Sequence, residues 1–195
     1  LAGNWANYGT LAAGNSTVAF NGSGIQNLSA GNSSFYNLTH SGSGTLKLLQ
    51  ALDVNGTFLN STGTFNSNNK NMNFAGDWTN SGAFIHNNGG SVAFLNFPGS
   101  STAQSINTGG TGSGKAFNNV VIAGNVTLSA NDLDVDGDLT INQGELSTGG
   151  VSRTIMIAGD WTNSGSGQFT PAPGKVIFDG VTNLDSGGAV SGKLF

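Results

Sequence analysis

From residue 132 to residue 141 polar and apolar side chains alternate: Asp132, Asp134, Asp136, Asp138 and Thr140 share one side of an extended chain, and Leu133, Val135, Leu139 and Ile141 the other. That period of two belongs to a strand with one buried face. Leu52, Val54 and Phe58 repeat the signal, as do Val126 and Leu128. Many apolar segments are only three or four residues long and stand between Gly, Asn, Ser and Thr, which predicts short strands joined by turns, with no helix between them.

The segments also recur in order. Gly3-Asn4-Trp5-Ala6-Asn7-Tyr8-Gly9 aligns with Gly76-Asp77-Trp78-Thr79-Asn80-Ser81-Gly82 and with Gly159-Asp160-Trp161-Thr162-Asn163-Ser164-Gly165, and all three Trp residues lie in this motif. Each copy continues through Leu11, Phe84 or Phe169 to a β-type triplet, Val18-Ala19-Phe20, Val92-Ala93-Phe94 or Val176-Ile177-Phe178. Phe35-Tyr36-Asn37-Leu38 then matches Phe117-Asn118-Asn119-Val120, and Leu52-Asp53-Val54-Asn55-Gly56 matches Leu133-Asp134-Val135-Asp136-Gly137. The chain 1–195 therefore reads as one continuous domain of imperfect super-repeats, 1–73, 74–156 and an incomplete 157–195, in which Gly192-Lys193-Leu194-Phe195 falls where Gly114-Lys115-Ala116-Phe117 falls. Growth from one copy to the next lands in Gly- and Asn-rich stretches such as Asn96-Phe97-Pro98-Gly99, where loops absorb it.

Two all-β architectures fit. One is a parallel β-helix, or β-solenoid, of about ten coils, each of roughly 18 to 21 residues. The other is a row of tandem β-sandwich repeats. The absence of a linker or composition break between copies, and the shortness of the apolar segments, favour the solenoid.

Composition narrows the chemistry. Gly, Asn, Ser and Thr supply 98 of 195 residues and only 8% are charged. A net charge of −4 offers no basic patch for nucleic-acid phosphates. Cysteine is absent, which excludes disulfides and thiolate sites. No apolar run approaches the roughly 18 residues of a transmembrane helix. With 36% hydrophobic residues, including twelve Phe, the chain has material for a core.

Trp5, Trp78 and Trp161 read as structural residues of the repeat, and Asn7, Asn80 and Asn163 as structural turn or stacking residues, since Asn and Gly tolerate left-handed corners. His40, His86, Arg153 and Glu145 are scattered and unrepeated, so neither a catalytic group nor a cofactor is assigned and no enzymatic role is expected. Asp132, Asp134, Asp136 and Asp138 imitate the opening of a calcium loop, but Gln143 stands where such a loop requires Glu. They read as an outward acidic row, with a weak surface calcium site as the alternative. Sequons at Asn15, Asn21, Asn27, Asn32, Asn37, Asn55, Asn60 and Asn125 make these candidates for glycosylation. Thr62-Gly63-Thr64 is the only Thr-x-Thr triplet, too few for an ice-binding face.

The Gly-(Asp/Asn)-Trp-Thr-Asn-x-Gly motif, the Val-x-Phe strand and the Leu-x-Val-x-Gly strand resemble the repeat regions of large bacterial surface and secreted proteins, in the style of filamentous haemagglutinin and autotransporter passenger solenoids. The resemblance implies an extracellular, non-enzymatic rod used as a stalk, fibre, sheath or adhesin. The expectation is a segment of an extracellular filament or surface fibre. Its partners would be flanking repeats or further copies stacked head to tail through open solenoid ends, with Leu1 and Phe195 near the junction. A carbohydrate-binding adhesin using Tyr8, Tyr36 or Phe97 as stacking platforms is the alternative, and a β-helix lyase or hydrolase the third reading.

Overall fold

In the computed structural model the chain is an all-β parallel solenoid of about nine coils, described for residues 1–86, 89–96, 102–171, 173–189 and 191–193. Phe97 and Phe195 lie outside the described residues. Among the described residues every strand pair is parallel, which rules out antiparallel sandwiches. Three sheets run along the rod. The first stacks Trp5–Ala6, Ile25–Ser29, Thr45–Leu48, Thr64–Asn66 and Ala83–Ile85. The second runs from Thr17–Phe20 to Gln168–Thr170 through eight strands, and the third from Leu52–Val54 to Leu184–Asp185 through seven. A further sheet of Leu133–Val135, Thr154–Ile157 and Lys175–Phe178 takes over the side of the first sheet. The handover passes through Gly114–Phe117: Phe84 N donates to Gly114 O at 2.7 Å, and Phe117 N donates to Asp134 O at 2.9 Å.

Alternation places one residue in two inside, and like stacks on like. Leu38, Phe58, Trp78, Ile106 and Leu128 climb the second sheet in register, and Leu52, Met72, Val92, Val120, Leu139 and Trp161 climb the third. All are buried in a single core cluster. The central coils are the most aromatic: Phe58, Phe74, Phe84 and Phe117 surround Trp78 at ring-centre distances of 4.4, 4.8, 5.1 and 5.5 Å.

The super-repeat does not return to the same face. Trp5 lies in the first sheet, Trp78 in the second and Trp161 in the third. Most coils advance by about 20 residues, as from Phe58 to Trp78, so 73 or 83 residues carry the chain one face short of four coils. The rest of each copy shifts with it. Val18-Ala19-Phe20, Val92-Ala93-Phe94 and Val176-Ile177-Phe178 occupy the second, third and fourth sheets. The local bonds survive the move: Phe35 N donates to Asp53 O and Gly56 N to Tyr36 O on one side of the rod, while Phe117 N donates to Asp134 O and Gly137 N to Asn118 O on another. Successive super-repeats are thus related by a three-fold screw. The coil that begins at each Trp motif is enlarged, to 23, 28 and 23 residues, which is why about nine coils form and not ten.

Candidate functional site

The Trp motif builds the same corner three times, from the same bonds. Asn4, Asp77 and Asp160 each accept, through Oδ1, the backbone N–H of a residue one coil on: Asn27 at 2.8 Å, Ser105 at 2.9 Å and Asn183 at 2.8 Å. The next residue in each case, Leu28, Ile106 or Leu184, pairs directly with the Trp. Hydrogen bonds from the Asn183 backbone and side chain hold the Asp160 carboxyl below its usual range. Two residues past each Trp, Asn7, Asn80 and Asn163 donate Nδ2 to the carbonyls of Ala30, Thr108 and Gly192 across the enlarged coil. Asn80 and Asn163 are strand residues with buried side chains. Among the described residues the left-handed Asn positions are Asn68, Asn69 and Asn131; Asn80 and Asn163 act as internal struts, while Asn7 also closes a turn, its Oδ1 accepting Gly9 N and its Nδ2 donating to Gly9 O.

A cation closes the corner in the second and third copies. Lys115 Nζ donates to the carbonyls of Ser81 and Gly82, and Lys193 Nζ to Asn163 Oδ1 at 2.8 Å and to Ser164 O at 3.3 Å. In the first copy Ser33 holds that place, its Oγ accepting from Asn7 Nδ2 and from Leu11 N. Arg153 works alike on another corner, donating to the carbonyls of Leu128, Ser129 and Asn131. These cations replace water at carbonyls that the ladder leaves over.

Inside the rod runs a polar column that the sequence did not announce. Asn60 Nδ2 donates to Asn80 Oδ1 at 2.7 Å and to Ala83 O at 2.9 Å, so its Oδ1 is the acceptor for His40 Nδ1 at 2.8 Å. That fixes the His40 proton on Nδ1 and leaves Nε2 buried without a partner. Burial lowers the His40 pKa, against the Asn60 hydrogen bond. His86 stacks on Phe84 at 5.4 Å, and its Nδ1 accepts the Asn118 N–H at 3.0 Å. Burial pulls its pKa down to about 4. Both imidazoles are therefore neutral core groups.

The acidic row is engaged by the backbone. Asp132 Oδ1 accepts Thr154 N, Asp134 Oδ2 accepts Gly112 N and Asp138 Oδ1 accepts Asp160 N. Asp136 is raised in pKa by burial and by the charges of Asp134 and Asp179. Among the described residues no three His, Cys, Asp or Glu side chains converge on a point that could hold a metal ion. Of the sequon residues, Asn15, Asn21, Asn32 and Asn55 are exposed, and Asn27, Asn37 and Asn125 are half-buried. Asn37 Oδ1 accepts Thr57 N, and Asn119 Oδ1 accepts Asp138 N at the matching place in the next copy. Asn60 is withdrawn as a glycan acceptor: it is fully buried, with both ends of its amide hydrogen-bonded.

Two surface depressions lie where an enlarged coil bulges. One, of about 570 Å³, is bordered by Phe84, His86, Ser113, Ala116 and Asp136. The other, of about 490 Å³, is bordered by Tyr8, Thr10, Asn32, Ser33 and Gln50. Comparison with protein-family models, with curated proteins and with solved structures finds no match.

Proposed function

We propose that this chain is a structural segment of an extracellular filament, sheath or surface fibre. The observation that carries the reading is the self-continuing stack: one core and parallel backbone ladders run through the described coils, and the Trp corner is rebuilt on each face in turn. In such a stack each layer is stabilised by its neighbours, so cohesion accumulates along the axis. The exposure of apolar side chains in the outer layers supports it. Trp5 is half-buried where Trp78 is fully buried, and Val181 and Leu184 are exposed. In this reading a further coil, or a second copy docked head to tail, covers them, and repetition of that contact makes an open filament. The role is non-enzymatic, and a surface with so few charges changes little with salt.

Light scattering across a concentration series, with negative-stain electron microscopy of the same samples, tests the reading. End-to-end polymers one rod wide are expected. Monomers at every concentration, with no fibres in the images, overturn end-to-end assembly.

A further inference from the structure

The sixth position of the Trp motif faces outward. In the second copy, which has coils on both sides, Ser81 occupies it and is exposed. In the first copy the residue is Tyr8, which is 96% exposed. Tyr8 stands beside the depression of about 490 Å³, a volume within the range of about 300–1,000 Å³ typical of ligand sites. The groups around it are of one chemical kind. Asn32 and Thr10 are exposed, and neither makes a hydrogen bond within the described chain. Gln50 is fixed through Oε1, which accepts Ser29 Oγ–H and Gly31 N–H, so its amide N–H groups remain available. Ser33 Oγ accepts from Asn7 and Leu11, which leaves its own O–H to donate. Among the described residues no Asp, Glu, Lys or Arg borders the groove.

We propose that this groove binds a neutral oligosaccharide. Pyranose rings turn a face of C–H groups toward an aromatic ring and present hydroxyls at the rim, where side-chain amides and hydroxyls can both donate and accept. A charged ligand would find no counter-charge in the lining. The site is independent of the filament reading, since it needs only the first corner and no second copy.

Isothermal titration of the chain, expressed without glycosylation, with cellohexaose, chitohexaose and maltohexaose tests the proposal. At least one of the three binds, and Tyr8→Ala and Asn32→Ala each weaken that binding tenfold or more. Neither change alters the melting temperature, because neither side chain holds the fold. The double variant Tyr8→Ala/Ser81→Tyr restores an exposed Tyr at the equivalent corner, where Gly114 and Lys115 stand in place of Asn32 and Ser33, and it does not restore binding. Failure of all three sugars to bind overturns the proposal. So does unchanged affinity in Tyr8→Ala, or recovery in the double variant, which would show that any exposed Tyr suffices.

Discussion

Replacing Trp by Ala at equivalent places in the repeat separates what the motif does from where it sits. Trp78 is fully buried, with Phe58, Phe74, Phe84 and Phe117 within 5.5 Å of its ring centre. A Trp buries about 150–250 Å², which at about 25 cal/mol per Å² is worth about 4–6 kcal/mol. Measured truncations of buried Phe and Trp cost about 3–5 kcal/mol, and that range is expected for Trp78→Ala. Trp5 is half-buried and touches one ring, Phe35, at 5.5 Å. Half the burial gives Trp5→Ala a cost of roughly 2 kcal/mol. Urea denaturation followed by circular dichroism reads both. Because Trp78 lies between layers on both sides, its loss also weakens coupling along the stack, and a broadened or biphasic transition is expected for that variant alone. Equal losses at the two positions, or a loss below about 1 kcal/mol at Trp78, would refute the reasoning.

Other outcomes follow from single contacts. An added Cβ at Gly137 would fall on Asn119 Oδ1, and one at Gly56 on Asn37 Oδ1, whereas Gly24 has open space. Gly137→Ala and Gly56→Ala should each lose at least about 1–3 kcal/mol and Gly24→Ala little, as read by thermal melting. Lys115→Met keeps the apolar stem but removes the donors to Ser81 and Gly82, for a loss of about 1–3 kcal/mol in urea. The histidines set an acid limit. An imidazole whose folded pKa lies below its unfolded value of 6.5 contributes stability that is present above pH 6.5 and is lost as pH falls toward the folded pKa, about 4 for His86. Wild type should therefore lose stability between pH 6.5 and 4 more steeply than His86→Gln, by up to about 1.4 kcal/mol per pH unit; parallel pH profiles would contradict the neutral buried His86.

The alternation at 132–141 and the short apolar segments made the strands legible, because a two-residue period survives wherever one face is buried. The equivalence of Gly56 with Gly137 and of Asn37 with Asn119 was legible as repetition, and the structure gives each pair the same bonds. The rotation of the repeat was not legible. A 73-residue spacing is not a whole number of coils, and a sequence alignment records order along the chain without azimuth around the rod. Asn80 and Asn163 read equally as turn or stacking residues, because Asn favours turns, whereas in a stacked ladder a buried amide such as Asn80 can satisfy the amide of the neighbouring coil and the carbonyl across. The enlarged corner was visible only as Gly-rich insertions. Its groove depends on how Thr10, Asn32 and Gln50 meet from three successive coils, which no local pattern encodes.

The central claim, that this chain is a stacked parallel solenoid, is tested most directly by pyrene excimer fluorescence. The chain has no Cys, so pairs introduced at outward Thr positions label cleanly. Thr140 and Thr162 are direct neighbours on adjacent coils of one sheet, while Thr79 and Thr162 hold the same motif position on different sheets. Strong excimer emission from Thr140→Cys/Thr162→Cys and none from Thr79→Cys/Thr162→Cys is the predicted result. Absence of emission from the first pair, or emission from the second, would contradict it.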